Sequence, residues 1–238
     1  CRYAGQNLSP ATARSVPGNS MAKKKRSGGG GKDKKQNNSQ AEAKAVTLVL
    51  PFSSMEEMAA SLARVSAYLE DPTYHGRVAS VEKVASLVSS RYAGHNFSLQ
   101  SYRNAIAAIG KLTAAEEKLK SAISAASKAS SGAGIYIVAH TKSDTKTLQH
   151  EKWHATYHFD EAYRKRVSGI WESVKRTNPS WAKQFENHLS DKYAQHVWVD
   201  EFQAIVLNRE YECATKTVNL LQSIIPAKEP FRTVTVKI

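Results

Sequence analysis

The sequence predicts an α+β fold that is mainly helical and contains a small sheet. Three short runs rich in β-branched residues predict its strands, at residues 46–50, 135–139 and 231–237. Between these runs, apolar residues recur at helical spacing over much of the chain. At 238 residues, the chain is long enough for one sizeable domain or two small ones.

Residues 45–131 are predicted to form one strand and several helices. The strand is expected to stop at Pro51, because proline cannot donate a hydrogen bond to a neighbouring strand. Residues 94–96 are interpreted as a loop. Capping residues indicate where the helices begin: Ser54, Ser80 and Thr113.

Residues 132–238 are predicted to alternate helices with the other two strands. Ser143 or Asp144 could cap the helix that follows the strand at 135–139, and this helix is expected to pack under the sheet. The same strand could be an edge that binds an extended peptide. Later helix starts are indicated at Asp160, at Asn178 with Pro179, and at Asp200 with Gln203.

Positive charge is concentrated in residues 1–44, which we predict to be a disordered basic tail. These residues hold ten Lys/Arg and two acidic side chains, so they contribute +8 of the net +13. Their Gly- and Lys-rich composition cannot bury a core. Residues 23–35 could contact an import receptor or a polyanion such as nucleic acid, or could simply be solvated. Residues 1–20 could be a translated leader ahead of a start at Met21.

Several broad classes of protein are not expected. The sequence has no run of 18 apolar residues, and it shows no charged-then-apolar segment with a cleavage site, so a secretory route is not expected. Its two cysteines, Cys1 and Cys213, provide neither a disulfide framework nor a C-x-x-C metal site. We therefore expect an intracellular protein, cytoplasmic or nuclear, with no membrane partner.

Residues 150–154, His-Glu-Lys-Trp-His, match the pattern H-E-x-x-H. Residues four apart lie on one face of a helix, so His150 and His154 could bind the same zinc ion. Glu151 lies about 100° round the helix, where it could act as a general base on metal-bound water without binding the metal. The pattern therefore predicts a zinc site that makes a nucleophile from water.

An amphipathic helix with exposed His and Glu side chains, and no metal site, could carry the same H-E-x-x-H pattern. The chain has eight histidines, and such a match can arise by chance. Lys152 also places a charge where zinc-binding helices usually carry an uncharged residue. The H-E-x-x-H motif alone therefore does not decide between a zinc site and an exposed amphipathic helix.

A second motif gives the sequence a resemblance to a known family. About fifty residues after H-E-x-x-H-A, the chain reads Val-Asp-Glu-Phe-Gln-Ala at 199–204. The pair resembles zincin metallopeptidases with a glutamate third ligand, of the anthrax lethal factor type. Residues 133–215 also resemble uncharacterised H-E-x-x-H proteins of giant viruses, algae and fungi that share a V/I-D-E-F-Q-A segment. The resemblance implies a zincin-like fold for residues 132–238 and three zinc ligands: His150, His154 and Glu201.

The resemblance also implies roles for other residues. Glu151 would be the general base. The lethal factor type has a tyrosine about two turns before its glutamate ligand, and either Tyr193 or His196 could supply this donor to the oxyanion. Tyr193 could instead be ordinary packing at the edge of the core. Asp200 is expected to cap its helix and to turn away from the histidines.

Two functions from different classes follow from these motifs. The first is a zinc-dependent metallopeptidase that hydrolyses bonds in a peptide or protein substrate. The second is a catalytically inactive zincin-like interaction module whose basic tail serves nuclear targeting or nucleic-acid binding. A third is a zinc hydrolase with a substrate other than a peptide. An intact Glu151 between two intact histidines favours catalysis, and the sequence predicts no particular substrate.

Overall fold

A computed structural model describes residues 45–84, 92–130 and 133–238. The predictions for the basic tail, residues 1–44, therefore lie outside the described residues. The helix predicted to begin after Ser80 is seen only at residues 81–84. The helices with both ends described are α1 (Met55–Glu70), α2 (Leu99–Ile109), α3 (Ala114–Ala129), α4 (Thr145–Phe159), α5 (Glu161–Thr177), α6 (Pro179–Ser190), α7 (Trp198–Leu207) and α8 (Thr215–Ser223).

Four strands form one sheet in the order β2-β3-β1-β4. Strand β1 is parallel to both of its neighbours, and β2 is antiparallel to β3. The predicted α+β fold is thus confirmed, and the sheet joins strands from both 45–131 and 132–238. The strands are β1 (Ala45–Phe52), β2 (His95–Ser98), β3 (Ile135–Thr141) and β4 (Phe231–Thr235).

Three expectations about the strands were wrong. Residues 94–96 were interpreted as a loop, but β2 begins at His95 and pairs with β3. Because β3 lies between β2 and β1, it is not an edge that could bind a peptide.

Strand β1 also continues through Pro51 to Phe52 instead of stopping before the proline. Neighbouring residues of a strand direct their backbone groups to opposite sides. The oxygen of Phe52 accepts from Lys142 beside β3, while that of Val49 accepts from Val236 beside β4. Pro51 therefore faces the β4 side, where the β1–β4 pairing has already ended at Val49. The missing N–H of the proline costs no ladder hydrogen bond there.

Capping side chains begin the helices largely where the sequence predicts. Each accepts a hydrogen bond from a backbone N–H in the first turn, which satisfies a donor that has no partner within the helix. The confirmed caps are Ser54, Thr113, Asp144, Asp160 and Asn178.

Helices cover both faces of the sheet. Leu48, Leu50 and Ile137 belong to a buried cluster shared with α1, α2 and α3. On the other face, Val138 belongs to a second cluster that includes Ala155 of α4. Helix α4 therefore packs against the sheet, as predicted, which gives the H-E-x-x-H segment a rigid support.

A further core joins the helices that follow α4. Trp171, Phe185 and Phe202 pack with ring centroids 4.9–6.0 Å apart, which ties α5, α6 and α7 together. Helix α7 also lies against α4. This packing brings the Asp-Glu-Phe-Gln segment beside the H-E-x-x-H segment. No helix within the described ranges combines the length and apolar content needed to cross a membrane.

Replacing Glu116 with glutamine should make the protein less stable at neutral pH but not at low pH. Glu116 accepts hydrogen bonds from Arg64, at 2.8 Å from its Nε, and from the backbone N–H of Thr113. Although burial opposes the charged form, these bonds hold the pKa of Glu116 below its usual value. Stability gained from a lowered pKa is present above the ordinary pKa and is lost as the pH falls through the folded-state value.

We expect Glu116→Gln to cost about 1–3 kcal/mol at pH 7, the usual worth of hydrogen bonds to a charged group. Urea unfolding at pH 7 and pH 3 should show this difference shrinking at the lower pH. Glu117→Gln is the control, because Glu117 is exposed and its carboxylate pairs with Lys120 one turn away on the same helix. An equal cost of Glu116→Gln at both pH values would contradict the prediction.

Candidate metal centre

Helix α4 places two histidines on one buried face. Asp144 caps the helix, so His150 and His154 lie in its second and third turns. Both are buried, with relative exposures of 8% and 1%. Their Nε2 atoms lie 3.1 Å apart, so the two rings direct the same nitrogen toward one point.

Glu201 completes a group of three that could hold a metal ion. It lies in the first turn of α7, and its carboxylate oxygens lie 3.6 Å from His154 Nε2 and 3.9 Å from His150 Nε2. Four ligands at tetrahedral zinc–ligand distances would lie about 3.3 Å from one another. The observed spacings fit one ion, with small movements of Glu201 on binding.

Asp200 does not have the role that its sequence position predicts. Helix α7 begins at Trp198, three residues earlier than a cap at Asp200 would place it, and has no side-chain cap. The carboxylate of Asp200 lies 2.8 Å from His154 Nδ1 and accepts a hydrogen bond from Gln203. It therefore faces a histidine of the site instead of turning away, although Glu201 is the carboxylate that groups with both histidines.

His150 also has a carboxylate on its Nδ1 side, that of Glu210, which the sequence did not predict. Glu210 Oε1 lies 3.1 Å from His150 Nδ1 and also accepts from Asn208. A carboxylate on Nδ1 orients an imidazole and leaves Nε2 to bind a metal. His150 and His154 both have a carboxylate oxygen within 3.1 Å of Nδ1, although the contact between His154 and Asp200 lacks hydrogen-bond alignment.

The electrostatics of the group favour a bound cation. Burial raises the pKa of Glu201 to about 7. Burial alone would lower the pKa of His154, but Asp200 and Glu201 raise it well above its usual value. Within the described residues, Glu201 Oε2 is buried without a hydrogen-bond partner. Because an unpartnered buried carboxylate oxygen is costly, a metal ion would relieve that cost.

Glu151 lies beside this group without belonging to it. Its side chain is buried, and Oε2 accepts a hydrogen bond of 2.8 Å from Asn96 of β2. Burial raises the pKa of Glu151 above its usual value, which makes it a stronger base than an exposed carboxylate. Gly94 lies so close to Oε1 that a β-carbon there would collide with it.

A cavity of about 160 Å³ opens beside Glu151 and His150. Tyr193 lines this cavity, and its ring packs against Tyr92 with centroids 5.6 Å apart. His196, the other predicted oxyanion donor, is exposed and packs against His75 with ring centroids 4.4 Å apart. Burial and the nearby carboxylates of Glu201, Glu70 and Glu151 raise the pKa of Tyr193 well above its usual value, so the hydroxyl stays protonated.

Glu70 is a further acidic neighbour that the sequence did not indicate. It is the last residue of α1, and its backbone oxygen accepts from Ala194 at 2.7 Å. Burial first, and then the charges of Glu201 and Glu151, raise the pKa of Glu70 well above its usual value. The end of α1 therefore adds a carboxyl group to the surroundings of the centre.

Comparisons with protein-family models, curated proteins and solved structures found no match. The case for a metal centre therefore depends on the geometry of the described residues.

Replacing Gly94 with alanine should destabilise the protein and displace Glu151. An added β-carbon would lie against Glu151 Oε1, 2.6 Å from a methyl carbon of Thr147 and 2.9 Å from the backbone oxygen of Ala139. Overpacking of this kind costs about 1–3 kcal/mol. Thermal unfolding would measure the cost.

Gly169→Ala is the matched control for this substitution. Gly169 lies inside α5, and an added β-carbon there would meet nothing within 4 Å. The control should be stabilising by roughly 0.5–1 kcal/mol, because alanine favours a helix over glycine. If both alanine variants melt above the wild type, the close approach at Gly94 is refuted.

Proposed function

We propose that the chain is a zinc-dependent metallopeptidase. The observation that carries the proposal is the position of Glu151, which follows His150 of the buried His150/His154/Glu201 group and lines one cavity together with His150. Two imidazoles and one glutamate are a ligand set of catalytic zinc sites, which keep a further position for water or substrate. The carboxylates on both imidazoles support this assignment.

In this proposal, different residues of the chain would bind the metal and transfer the proton. A bound zinc ion would supply a Lewis acid that polarises the substrate carbonyl and acidifies water. His150, His154 and Glu201 would hold that ion. Glu151 would accept the proton of the attacking water and later return it to the departing amine.

Tyr193 is the better placed of the two proposed oxyanion donors. Its hydroxyl is protonated and its ring lines the cavity shared by Glu151 and His150. A donor of this kind would stabilise negative charge that develops on the carbonyl oxygen. The packing of Tyr193 on Tyr92 also gives the ring a structural role, so the catalytic role needs its own test.

The test is zinc content of the purified protein together with cleavage of a mixed peptide library. We expect one zinc per chain and cleavage that a chelator stops. Tyr193→Phe should keep the zinc and lower turnover by a factor on the order of 10², the usual effect of losing one oxyanion donor. His196→Ala should cleave at nearly the wild-type rate, and the reverse result would transfer the donor role to His196.

Three results would overturn the peptidase proposal. Iron in place of zinc would contradict the metal, because two histidines and one carboxylate also bind iron in oxygenases. One tightly bound zinc without cleavage of any library peptide would favour the inactive interaction module. Cleavage of ester substrates alone would favour a hydrolase of another class.

A further inference from the structure

Two side-chain amides connect buried tyrosines to acidic residues of the centre. In the first chain of hydrogen bonds, the hydroxyl of Tyr136 donates to Asn96 Oδ1 at 2.5 Å, and Asn96 Nδ2 donates to Glu151 at 2.8 Å. Asn96 and Tyr136 are only 8% and 5% exposed. The chain of bonds therefore runs from β3 through β2 to the second residue of the H-E-x-x-H motif.

The second chain has the same chemistry and ends on a different residue. The hydroxyl of Tyr163 donates to Gln203 Oε1 at 2.9 Å, and Gln203 Nε2 donates to Asp200 at 3.1 Å. Asp200 in turn lies 2.8 Å from His154 Nδ1. Tyr163 and Gln203 are fully buried.

The tyrosine hydroxyls decide which end of each amide faces the carboxylate. A side-chain amide has an acceptor oxygen at one end and a donor NH₂ at the other, and it can turn over. A turned amide would place its oxygen against the carboxylate, which repels it. A hydroxyl that donates to the amide oxygen fixes the NH₂ toward the carboxylate, and the bonds of such a network strengthen one another in a buried setting.

We propose that Asn96 and Gln203 are positioning residues with separate tasks in the same site. Asn96 fixes the carboxylate of Glu151, the proposed base. Gln203 fixes Asp200, and through it the ring of His154, a proposed metal ligand. The proposal rests on the proposed function, but its parts can be tested without peptide cleavage.

Measuring both zinc affinity and kcat for one alanine variant of each amide separates the two tasks. Asn96→Ala should bind zinc within about threefold of the wild type but lower kcat at least tenfold, with KM little changed. Gln203→Ala should weaken zinc binding about 10- to 100-fold, as is typical of residues that support a metal ligand. At saturating zinc, its kcat should return close to the wild-type value.

Tyr136→Phe and Tyr163→Phe test the same two tasks by removing only the hydroxyl that holds each amide. They protect the test against a failure of the alanine variants to fold. Each should change the same quantity as the amide that it holds, by a smaller factor. If the Asn96 and Gln203 variants change zinc affinity and kcat in the same proportions, the division of tasks is wrong.

A double-mutant cycle on the metal-free protein tests the Asn96–Glu151 contact directly. Asn96→Asp replaces the donor NH₂ with an oxygen, so two carboxylates would meet and the urea midpoint at pH 8 should fall. In the Glu151→Gln background the same change should cost much less, since the NH₂ of the new glutamine can donate to the new carboxylate. Asn104→Asp, at an exposed position of α2, should cost equally little in both backgrounds.

The outcomes distinguish this inference from the peptidase proposal. An additive cycle, with the same midpoint change in both backgrounds, would overturn the role of Asn96 whether or not the protein is a peptidase. A wild type that cleaves nothing would refute the peptidase proposal. The urea cycle and the zinc titration would still decide the positioning roles in that case.

Discussion

Replacing Glu151 with glutamine should leave zinc binding intact and lower peptide turnover by a factor on the order of 10² to 10⁴, the usual worth of general acid–base catalysis. The substitution keeps the shape of the side chain and removes its ability to accept a proton at neutral pH. Zinc binding should survive because His150, His154 and Glu201 are unchanged. The Asn96 NH₂ can still donate to the amide oxygen of the glutamine.

Zinc stoichiometry and steady-state cleavage would be measured side by side for this variant. Glu210→Gln is an informative control, because Glu210 lines the same cavity but contacts His150 Nδ1 instead of the reacting groups. It should weaken zinc binding by about 10- to 100-fold and have little effect on kcat at saturating zinc. A Glu151→Gln variant that cleaves as fast as the wild type would eliminate Glu151 as the base.

The helices could be predicted from the sequence because their signals are local. A capping side chain and the spacing of apolar residues lie within the helix itself, as at Asp160 and along α5. Strand β2 has no such signal. Its four residues, His-Asn-Phe-Ser, become a strand because they pair with β3 about forty residues later in the chain. Pairing over that distance cannot be read from a short window.

The same contrast explains which parts of the site were predicted. His150 and His154 share a helix face, so their spacing alone predicts the geometry. Glu210, Asn96 and Glu70 reach the site from other elements, and the sequence near each of them gives no sign of it. Only the three-dimensional structure brings these side chains together.

Asp200 shows how the same residues can be misread. Asp200 with Gln203 has the spacing of a capping box, in which each side chain bonds a backbone N–H. In the structure, Gln203 donates to the Asp200 carboxylate itself, and the helix already begins at Trp198. The carboxylate is thereby left to face His154.

Replacing His154 with alanine should abolish zinc binding, zinc-dependent stabilisation and cleavage together. His154 is 1% exposed and its Nε2 lies 3.1 Å from His150 Nε2 and 3.6 Å from Glu201, so its loss leaves two ligands. A ligand that binds only the folded state stabilises it by about 2.7 kcal/mol at 100 times its Kd. The wild type should therefore melt higher with zinc than with a chelator.

Because His154→Ala also removes the contact with Asp200, its metal-free form should already be less stable than the metal-free wild type. The decisive quantity is thus the difference in melting temperature with and without zinc, which should vanish in the variant. His188→Ala is the control, since His188 lines the cavity beside His150 and Glu151 but is not one of the three grouped ligands. It should keep the full zinc response. If His154→Ala retains one tightly bound zinc and its zinc response, the metal lies elsewhere and the His150/His154/Glu201 assignment is wrong.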